Sequence, residues 1–288
     1  MDTLVKGMIN GEAAVYACDI TQMANEMQRT HNTLPVATMA LGRTLAGATL
    51  MCSMLKHKHD RLTLQINGGG VTGTLMAVGG ADLVMKACIG NPKANVKPKG
   101  EGDLNVGGAV GTDGFVTVIK DLGLKAPYVG KTRMVSGEIG EDLAQYFMQS
   151  EQQPSIVYLN TWVEQDFSVI DAGGVIIKPL PKASEQTLAL IESKIPMIRN
   201  YAIYLMSKSV DEVLKMIFPE IELTEHSAPR YQCDCSRERL IGMLVSLGKD
   251  ELNDMIERDG GAQVTCRFCN KEYNFSKQEL QKIVEGLK

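Results

Sequence analysis

Four of the seven cysteines lie close together near the C-terminus, and their spacing is that of a metal site. One residue separates Cys233 from Cys235, and two residues separate Cys266 from Cys269. Four thiolates complete the closed tetrahedral coordination of structural Zn²⁺, with Zn–S bonds of about 2.3 Å. Two of the three residues between the paired cysteines, Asp234 and Arg267, are charged, which argues against four thiols buried in an apolar core. The sequence therefore predicts one Zn²⁺ per chain, held by these four residues.

The same thiols are expected to be reactive. Arg230, Arg237 and Arg267 flank them, and Cys235 directly precedes a predicted helix. Positive charge and a helix N-terminus both favour the thiolate, which is the nucleophilic form. Cysteines two or three positions apart can form a disulfide where the chain bends, because the Cα separation must stay below about 7 Å. Oxidation is therefore expected to compete with metal binding, and loss of the metal is expected to unfold the surrounding module.

The other thiols and the imidazoles are not expected to be ligands. His226 lies seven residues before Cys233, but four thiolates already fill a tetrahedral site. Three further histidines are predicted to be surface or packing residues: His31, His57 and His59. Three cysteines without a close partner in the sequence are predicted to be core thiols: Cys18, Cys52 and Cys88.

The element pattern around the four cysteines predicts a small C-terminal domain over residues 233–288. Ser236 is placed to cap a helix that carries Leu240, Leu244 and Leu247. Asp250 can cap a second helix that ends near residue 258, and residues 276–279 form a capping box that opens a third. A module of this size has a small hydrophobic core, so a bound metal ion is expected to stabilise its fold.

Residues 1–178 are predicted to form an N-terminal α/β domain with glycine-rich sheets. Asn10-Gly11 between two β-prone runs indicates a hairpin, and Pro35 opens a helix, rich in small residues, that continues to about residue 55. Of the 28 glycines, 17 fall between residues 62 and 140. A further helix is predicted over 138–149. Strands are predicted over residues 62–66, 71–78, 83–87, 104–110, 115–120, 156–163 and 175–177.

Residues 179–232 are predicted to be a helical linker, broken by Pro196, Pro219 and Pro229. Its apolar side chains are too numerous for a solvated tether, so it is expected to lie on another surface such as the first domain. The alternative is an ordinary helical connection within one continuous fold. The expected fold class is therefore α+β: an N-terminal α/β domain, a helical linker and a small zinc-binding domain.

Charge and composition exclude several functions. The 30 Lys and Arg residues nearly balance the 34 Asp and Glu residues. This balance argues against a polybasic surface that binds nucleic acid or membrane. No export signal or membrane span is evident, so a cytoplasmic protein is expected. Residues 68–73 match a dinucleotide-binding glycine pattern, but a strand is predicted to follow them, which indicates a glycine hairpin. No catalytic constellation is evident, so an enzyme is not expected.

The cysteine motif resembles the zinc centre of the heat-shock protein 33 family, whose members are redox-regulated bacterial chaperones. The resemblance rests on Cys233-Asp234-Cys235-Ser236 and Cys266-Arg267-Phe268-Cys269. It extends over essentially the whole chain, since further segments look like family signatures: residues 34–38, 40–43, 66–70, 135–139, 141–144 and 150–155.

The resemblance implies an ATP-independent holdase that is monomeric, zinc-bound and inactive when reduced. Oxidation by peroxide under unfolding stress, or by hypochlorous acid, would form disulfides Cys233–Cys235 and Cys266–Cys269, the distal Cys266–Cys269 pair first. Zinc would leave, the linker would unfold, and the protein would dimerise and bind unfolding client proteins. Redox control in this form is implied by the resemblance, whereas the residues alone indicate zinc, reactive thiols and an apolar linker.

Two rival functions belong to other classes. A zinc-ribbon module that binds nucleic acid or protein would need a basic face, yet residues 233–288 hold nine Lys and Arg against ten Asp and Glu. A dithiol oxidoreductase would place Cys266 and Cys269 at a helix start in a thioredoxin-like setting, which the surrounding knuckle pattern does not resemble.

Overall fold

The computed structural model describes residues 1–100 and 103–287, and it has the mixed α+β fold that the sequence predicts. The chain divides into two compact units, with the division between Gln232 and Cys233. Residues 179–232 belong to the same compact unit as the preceding residues.

The N-terminal unit contains a five-stranded antiparallel sheet in the order β10-β1-β2-β9-β8. Its strands are β1 (Thr3–Ile9), β2 (Ala13–Asp19), β8 (Ile156–Val163), β9 (Val169–Pro179) and β10 (Glu222–Ser227). The predicted hairpin is confirmed: Ile9 pairs with Ala13, and Asn10 and Gly11 take the positive φ angles that this tight turn requires. Strand β10 pairs with β1 across more than 200 residues of chain, which no local pattern indicates.

A second sheet of six strands has the order β11-β5-β4-β3-β6-β7. Its strands are β3 (Arg61–Asn67), β4 (Leu75–Gly80), β5 (Val84–Ile89), β6 (Phe115–Asp121), β7 (Tyr128–Arg133) and β11 (Arg230–Tyr231). All neighbours are antiparallel except β11, which runs parallel to β5.

The main core forms around helix α2 (Pro35–Cys52), whose start at Pro35 is as predicted. Apolar residues of both sheets pack in the same cluster as α2 and as helices α1 (Thr21–His31) and α4 (Gly140–Gln149). A Cβ atom at Gly42 would lie 2.5 Å from the Thr161 hydroxyl, and one at Gly47 would lie 2.7 Å from Leu143. The small residues of α2 therefore permit contact distances that larger side chains would prevent.

The segment after β9 forms four short helices and then returns to the five-stranded sheet as β10. The helices are α5 (Glu185–Ser193), α6 (Ile195–Ile198), α7 (Tyr201–Leu205) and α8 (Val210–Ile217). Their apolar residues share a second core with Val5, Val15 and Ile177 of the sheet. The apolar side chains of residues 179–232 are thus used in packing against β1, β2 and β9.

Two strand predictions were wrong. Residues 104–110 were expected to be a strand, but Val106–Val110 is helix α3, capped by the Asn105 side chain, which accepts from the Gly108 N–H. Residues 71–78 are a strand only from Leu75, because the Gly70 and Thr72 N–H groups donate to carbonyl groups at the C-terminal end of α3. The turn at residues 68–73 is followed by β4 and not by a helix, as predicted.

The C-terminal unit is a two-stranded sheet with three helices. Strands β12 (Gly261–Thr265) and β13 (Glu272–Ser276) pair antiparallel. The helices are α9 (Arg237–Leu247), α10 (Lys249–Arg258) and α11 (Lys277–Gly286), and the caps at Ser236 and Ser276 are as predicted. Helix α10 begins at Lys249, so Asp250 lies in its first turn and not at its cap. Of the three leucines that α9 carries, Leu240 and Leu244 are buried, and Leu247 is 46% exposed.

Candidate metal centre

The four predicted ligands meet at one point of the C-terminal unit. The sulfur atoms of Cys233, Cys235, Cys266 and Cys269 all lie within 4.8 Å of one another. The Cys233 and Cys266 sulfurs are 3.6 Å apart, and the Cys235 and Cys269 sulfurs are 3.3 Å apart. Sulfur atoms at about 2.3 Å from one tetrahedral ion would be separated by about 3.8 Å. None of the four forms a disulfide, and each side chain is partly buried.

A tight turn between β12 and β13 presents the second pair of cysteines. The Asn270 N–H donates to the Cys266 carbonyl at 2.8 Å, and the Cys266 N–H donates to the Lys271 carbonyl at 2.9 Å. Asn270 takes a left-handed conformation with φ of 57°, which asparagine tolerates better than most residues. This turn reverses the chain between the strands and brings Cys266 and Cys269 to one side.

The first pair lies at the N-terminus of α9. The Ser236 hydroxyl caps the helix by accepting from the Arg239 N–H, so Cys235 is the residue immediately before the cap. The Arg237 guanidinium donates to Glu279 at 2.6 Å and lies over the Phe275 ring at 4.3 Å. These contacts tie the chain that follows Cys235 to β13 and α11.

Tyr273 is the residue of the site that the sequence analysis did not identify. Its hydroxyl oxygen lies 3.2 Å from the Cys235 sulfur and 3.2 Å from the Cys235 carbonyl oxygen. The signal that could have found it is the alternation of apolar residues at Tyr273 and Phe275, which places both side chains on the inner face of β13.

The thiols of the cluster differ in acidity when no metal is bound. Burial raises the pKa of Cys233 and that of Cys269. Burial acts in the same direction on Cys235, but hydrogen bonds from Tyr273 and the neighbouring thiols outweigh it and lower the pKa of Cys235 to about 7. The contact with Cys235 raises the pKa of the Tyr273 hydroxyl to about 12. The Tyr273 hydroxyl and the neighbouring thiols therefore favour the thiolate form of Cys235.

The donor set fits a soft or borderline metal ion. Four sulfur atoms converge within the range that one tetrahedral ion requires, whereas Ca²⁺ and Mg²⁺ prefer oxygen ligands. The cluster is thus a group that can bind a metal ion, and a closed set of four protein ligands is the pattern of a structural site.

The remaining predicted residues lie outside this cluster. Cys18 and Cys52 are fully buried, as predicted for core thiols, whereas Cys88 is only partly buried on β5. The His226 side chain lies 2.8 Å from the Asp211 carboxylate, and His31 is buried with Nε2 2.9 Å from the Ala87 carbonyl. Among the described residues, no helix combines the length and the apolar composition that crossing a membrane requires.

Comparison with known proteins identifies the family. Residues 2–276 match the family model described as Hsp33 protein. The chain is 40% identical over 287 residues to a 33 kDa chaperonin of Alkaliphilus metalliredigens, covering 96% of each chain. It is 40% identical over 290 residues to a 33 kDa chaperonin of Clostridium botulinum strain 657, covering 99% of this chain and 98% of the relative. The crystal structure of the 33 kDa chaperonin from Thermotoga maritima matches with a TM-score of 0.89 and 32% identity, covering 99% of this chain and 98% of that one. The chain therefore belongs to the Hsp33 family.

Proposed function

We propose that this protein is a redox-regulated, ATP-independent holdase chaperone that binds unfolding proteins and prevents their aggregation under oxidative stress. The observation that carries the proposal is the convergence of four thiols within 4.8 Å in a chain of the Hsp33 family. The related proteins are named chaperonins, which supports binding of unfolded clients and not catalysis. The proposed location is the cytoplasm, where thiols are kept reduced in the absence of stress.

In the reduced state, Cys233, Cys235, Cys266 and Cys269 would hold one Zn²⁺. Zinc bound by four thiolates supplies about 10–16 kcal/mol of folding free energy in small modules. The C-terminal unit needs such a contribution because its buried apolar core is small. That core consists of Leu240, Leu244, Leu252, Ile256, Tyr273, Phe275 and Leu280.

Oxidation would remove the ligands. We propose that disulfides form between Cys233 and Cys235 and between Cys266 and Cys269, the latter pair first. Each disulfide joins two sulfurs and passes two electrons to peroxide, which takes up two protons and leaves as two water molecules. The pairing is inferred from family membership. In the cluster itself, the Cys233 sulfur also lies 3.6 Å from that of Cys266, and the Cys235 sulfur lies 3.3 Å from that of Cys269. A sulfur in a disulfide is no longer an anionic ligand.

Loss of the metal would then release the linker. We divide the chain functionally into a core domain of residues 1–178, a linker of residues 179–232 and a redox-switch domain of residues 233–288. The linker packs Tyr201, Val213 and Ile217 against the five-stranded sheet. Unfolding of the linker would uncover that apolar face together with its own apolar residues, and large exposed apolar surfaces bind other chains. The proposed active form is a homodimer, and the reduced form a monomer.

The alternative functions have less support. A dithiol oxidoreductase would need its cysteine pair at a helix N-terminus, whereas Cys266 and Cys269 lie in the turn between β12 and β13. A nucleic-acid adaptor would need a basic surface, and the residues of the C-terminal unit carry nearly balanced charge.

The proposal is tested by light scattering from a thermally unfolding client protein. The reduced, zinc-loaded chain is compared with the same sample after treatment with peroxide at elevated temperature, and released zinc is measured with a colorimetric chelator. We expect suppression of aggregation only after oxidation, in step with loss of about one zinc per chain, the capacity of a single four-thiolate site. Equal suppression in both states would contradict redox control.

A matched pair of variants links the activity to the cluster. Cys266→Ser removes one thiolate, so it should weaken zinc binding and increase protease cleavage within residues 182–232 of the reduced protein. Cys88→Ser changes a thiol of β5 outside the cluster and should leave zinc affinity and cleavage unchanged. Unchanged zinc affinity and cleavage in Cys266→Ser would contradict the proposed coupling.

A further inference from the structure

Tyr273 connects the cysteine cluster to the hydrophobic core of the C-terminal unit. Its side chain is only 7% exposed and packs in the cluster that contains Phe275 and Leu280. The hydroxyl group at the other end of the ring contacts the Cys235 sulfur at 3.2 Å. One side chain therefore touches both the proposed metal ligands and the core that those ligands support.

The position of the Tyr273 ring is set by groups other than Cys235. In the hairpin, Tyr273 pairs with Val264; Tyr273 belongs to the core cluster, and Val264 packs against it. The Lys271 ammonium lies 5.1 Å from the ring centroid. The ring is therefore held by core packing and backbone pairing, which leaves the hydroxyl aimed at Cys235 as a fixed donor.

A fixed donor changes the chemistry of the sulfur that it contacts. The tyrosine O–H has one proton and two acceptors at 3.2 Å, the Cys235 sulfur and the Cys235 carbonyl oxygen. A thiolate is the charged acceptor of the two, and charge-assisted hydrogen bonds are the stronger ones. Donation to a thiolate withdraws electron density from sulfur, which lowers its nucleophilicity toward peroxide. Groups that hydrogen-bond to metal ligands also raise metal affinity by about 10- to 100-fold.

We propose that Tyr273 is a positioning residue whose hydroxyl holds Cys235 in the metal centre and sets how readily the centre is oxidised. The inference rests on the proposed function, since it assigns the control of the same site. It gives the ring and the hydroxyl separate roles: the ring stabilises the fold, and the hydroxyl restrains the sulfur.

The variant Tyr273→Phe separates these roles because it keeps the ring and removes only the hydroxyl. We expect about a 10-fold loss of Zn²⁺ affinity in chelator competition, the magnitude typical when a hydrogen bond to a metal ligand is lost. Peroxide should release zinc faster from the variant than from the parent chain. The Tyr128→Phe variant is the control, because the Tyr128 hydroxyl contacts Ser150 in the N-terminal unit.

A spectroscopic measurement distinguishes restraint of the sulfur from a purely structural effect. With Co²⁺ in place of zinc, the thiolate-to-metal charge-transfer band reports electron density on sulfur. Loss of a donated hydrogen bond should move this band of Tyr273→Phe to lower energy, and Tyr128→Phe should leave it unchanged. A band identical to that of the parent chain would overturn the proposal, even if zinc affinity fell, because the hydroxyl would then not act on the sulfur.

The outcomes also separate this inference from the proposed function. If the parent chain binds metal but shows no activation by peroxide, the redox chaperone proposal fails, while the Co²⁺ spectrum and zinc affinity of Tyr273→Phe still test the contact with Cys235. If the parent chain is activated and Tyr273→Phe has the same zinc affinity, release rate and spectrum, only the role of Tyr273 is overturned.

Discussion

The Glu151 carboxylate in the N-terminal unit forms ion pairs with two lysines and a hydrogen bond with a tyrosine. The Lys120 ammonium lies 2.6 Å from the Glu151 carboxylate, and that of Lys178 lies 3.2 Å away. The Tyr146 hydroxyl donates to the same carboxylate at 3.2 Å. The Lys178 side chain is only 11% exposed, so Glu151 is the partner of a poorly solvated ammonium group. Burial opposes ionisation of Glu151, but the two lysines outweigh it and hold the pKa of Glu151 below its ordinary value of 4.5.

Replacing this carboxylate should destabilise the N-terminal unit near neutral pH. Glu151→Gln leaves Lys178 with a neutral partner in a poorly solvated site, and we expect a loss of about 2–4 kcal/mol in the free energy of unfolding at pH 7. Because the folded-state pKa is lowered, the ionised carboxylate stabilises the fold above its unfolded pKa. That contribution is lost as the pH falls through the folded pKa. The difference between the parent chain and Glu151→Gln in urea unfolding should therefore shrink below pH 4.5.

An exposed ion pair provides the control for Glu151→Gln. Glu225 contacts Lys6 at 2.9 Å, but the Glu225 side chain is 51% exposed. Water and salt screen such pairs, so Glu225→Gln should change the free energy of unfolding by less than about 1 kcal/mol. Equal losses in the two variants would show that burial does not distinguish the two pairs.

Among the secondary-structure elements of the linker, helix α8 combines a side-chain cap with a buried apolar face. A capping box between Ser209 and Glu212 begins the helix, and the buried residues Val213, Leu214 and Ile217 face the five-stranded sheet. The cap is local in the sequence, whereas the burial depends on contact with strands far away along the chain. The attachment of the linker in the reduced protein should therefore depend on the buried residues of α8.

Truncating one of these side chains should loosen the linker without changing the metal centre. Leu214→Ala removes a fully buried side chain, so we expect a loss of about 2–5 kcal/mol in the free energy of unfolding and faster protease cleavage within residues 182–232. Leu188→Ala is the matched control, since Leu188 lies on α5 and is 38% exposed. Equal protease resistance in Leu214→Ala and the parent chain would contradict a role for α8 in holding the linker.

At the scale of the whole molecule, the two units differ in what stabilises them. The unit ending at Gln232 has two extensive apolar cores, whereas the unit beginning at Cys233 has one small core beside its cysteine cluster. Small modules without a sufficient core depend on a metal or a disulfide for a stable fold. Metal removal should therefore affect the two units unequally.

Chelation of the reduced protein provides the test of this difference. We expect hydrogen exchange to accelerate by orders of magnitude in β12, β13 and α11, because structural zinc contributes about 10–16 kcal/mol to folding. Strands β2, β3 and β9 should keep their protection, since they pack in the cores of the N-terminal unit. Addition of Zn²⁺ should restore protection in the C-terminal unit. If β12 and β13 kept their protection from hydrogen exchange after chelation, the small core would be sufficient to keep the C-terminal unit folded without metal.

Features that depend on local chemistry could be predicted from the sequence alone. The spacing of the four cysteines identified the cluster, because a tight turn brings residues two or three positions apart to one side. Asn10-Gly11 identified the first hairpin, and Ser276 and Glu279 identified the start of α11, because turns and caps depend on neighbouring residues. The Val106–Val110 helix was predicted wrongly as a strand, since its cap at Asn105 was not recognised.

Contacts between residues far apart in the sequence could not be predicted and were found in the folded structure. Strand β10 pairs with β1, and Tyr273 contacts Cys235 across 38 positions, because packing brings together segments whose own sequences do not indicate each other. Glu151 meets Lys120 and Lys178 for the same reason. Side-chain donors act over about 3 Å, and such distances between remote positions exist only once the core has formed. The candidate ligands therefore follow from the sequence, and the groups that contact them follow from the fold.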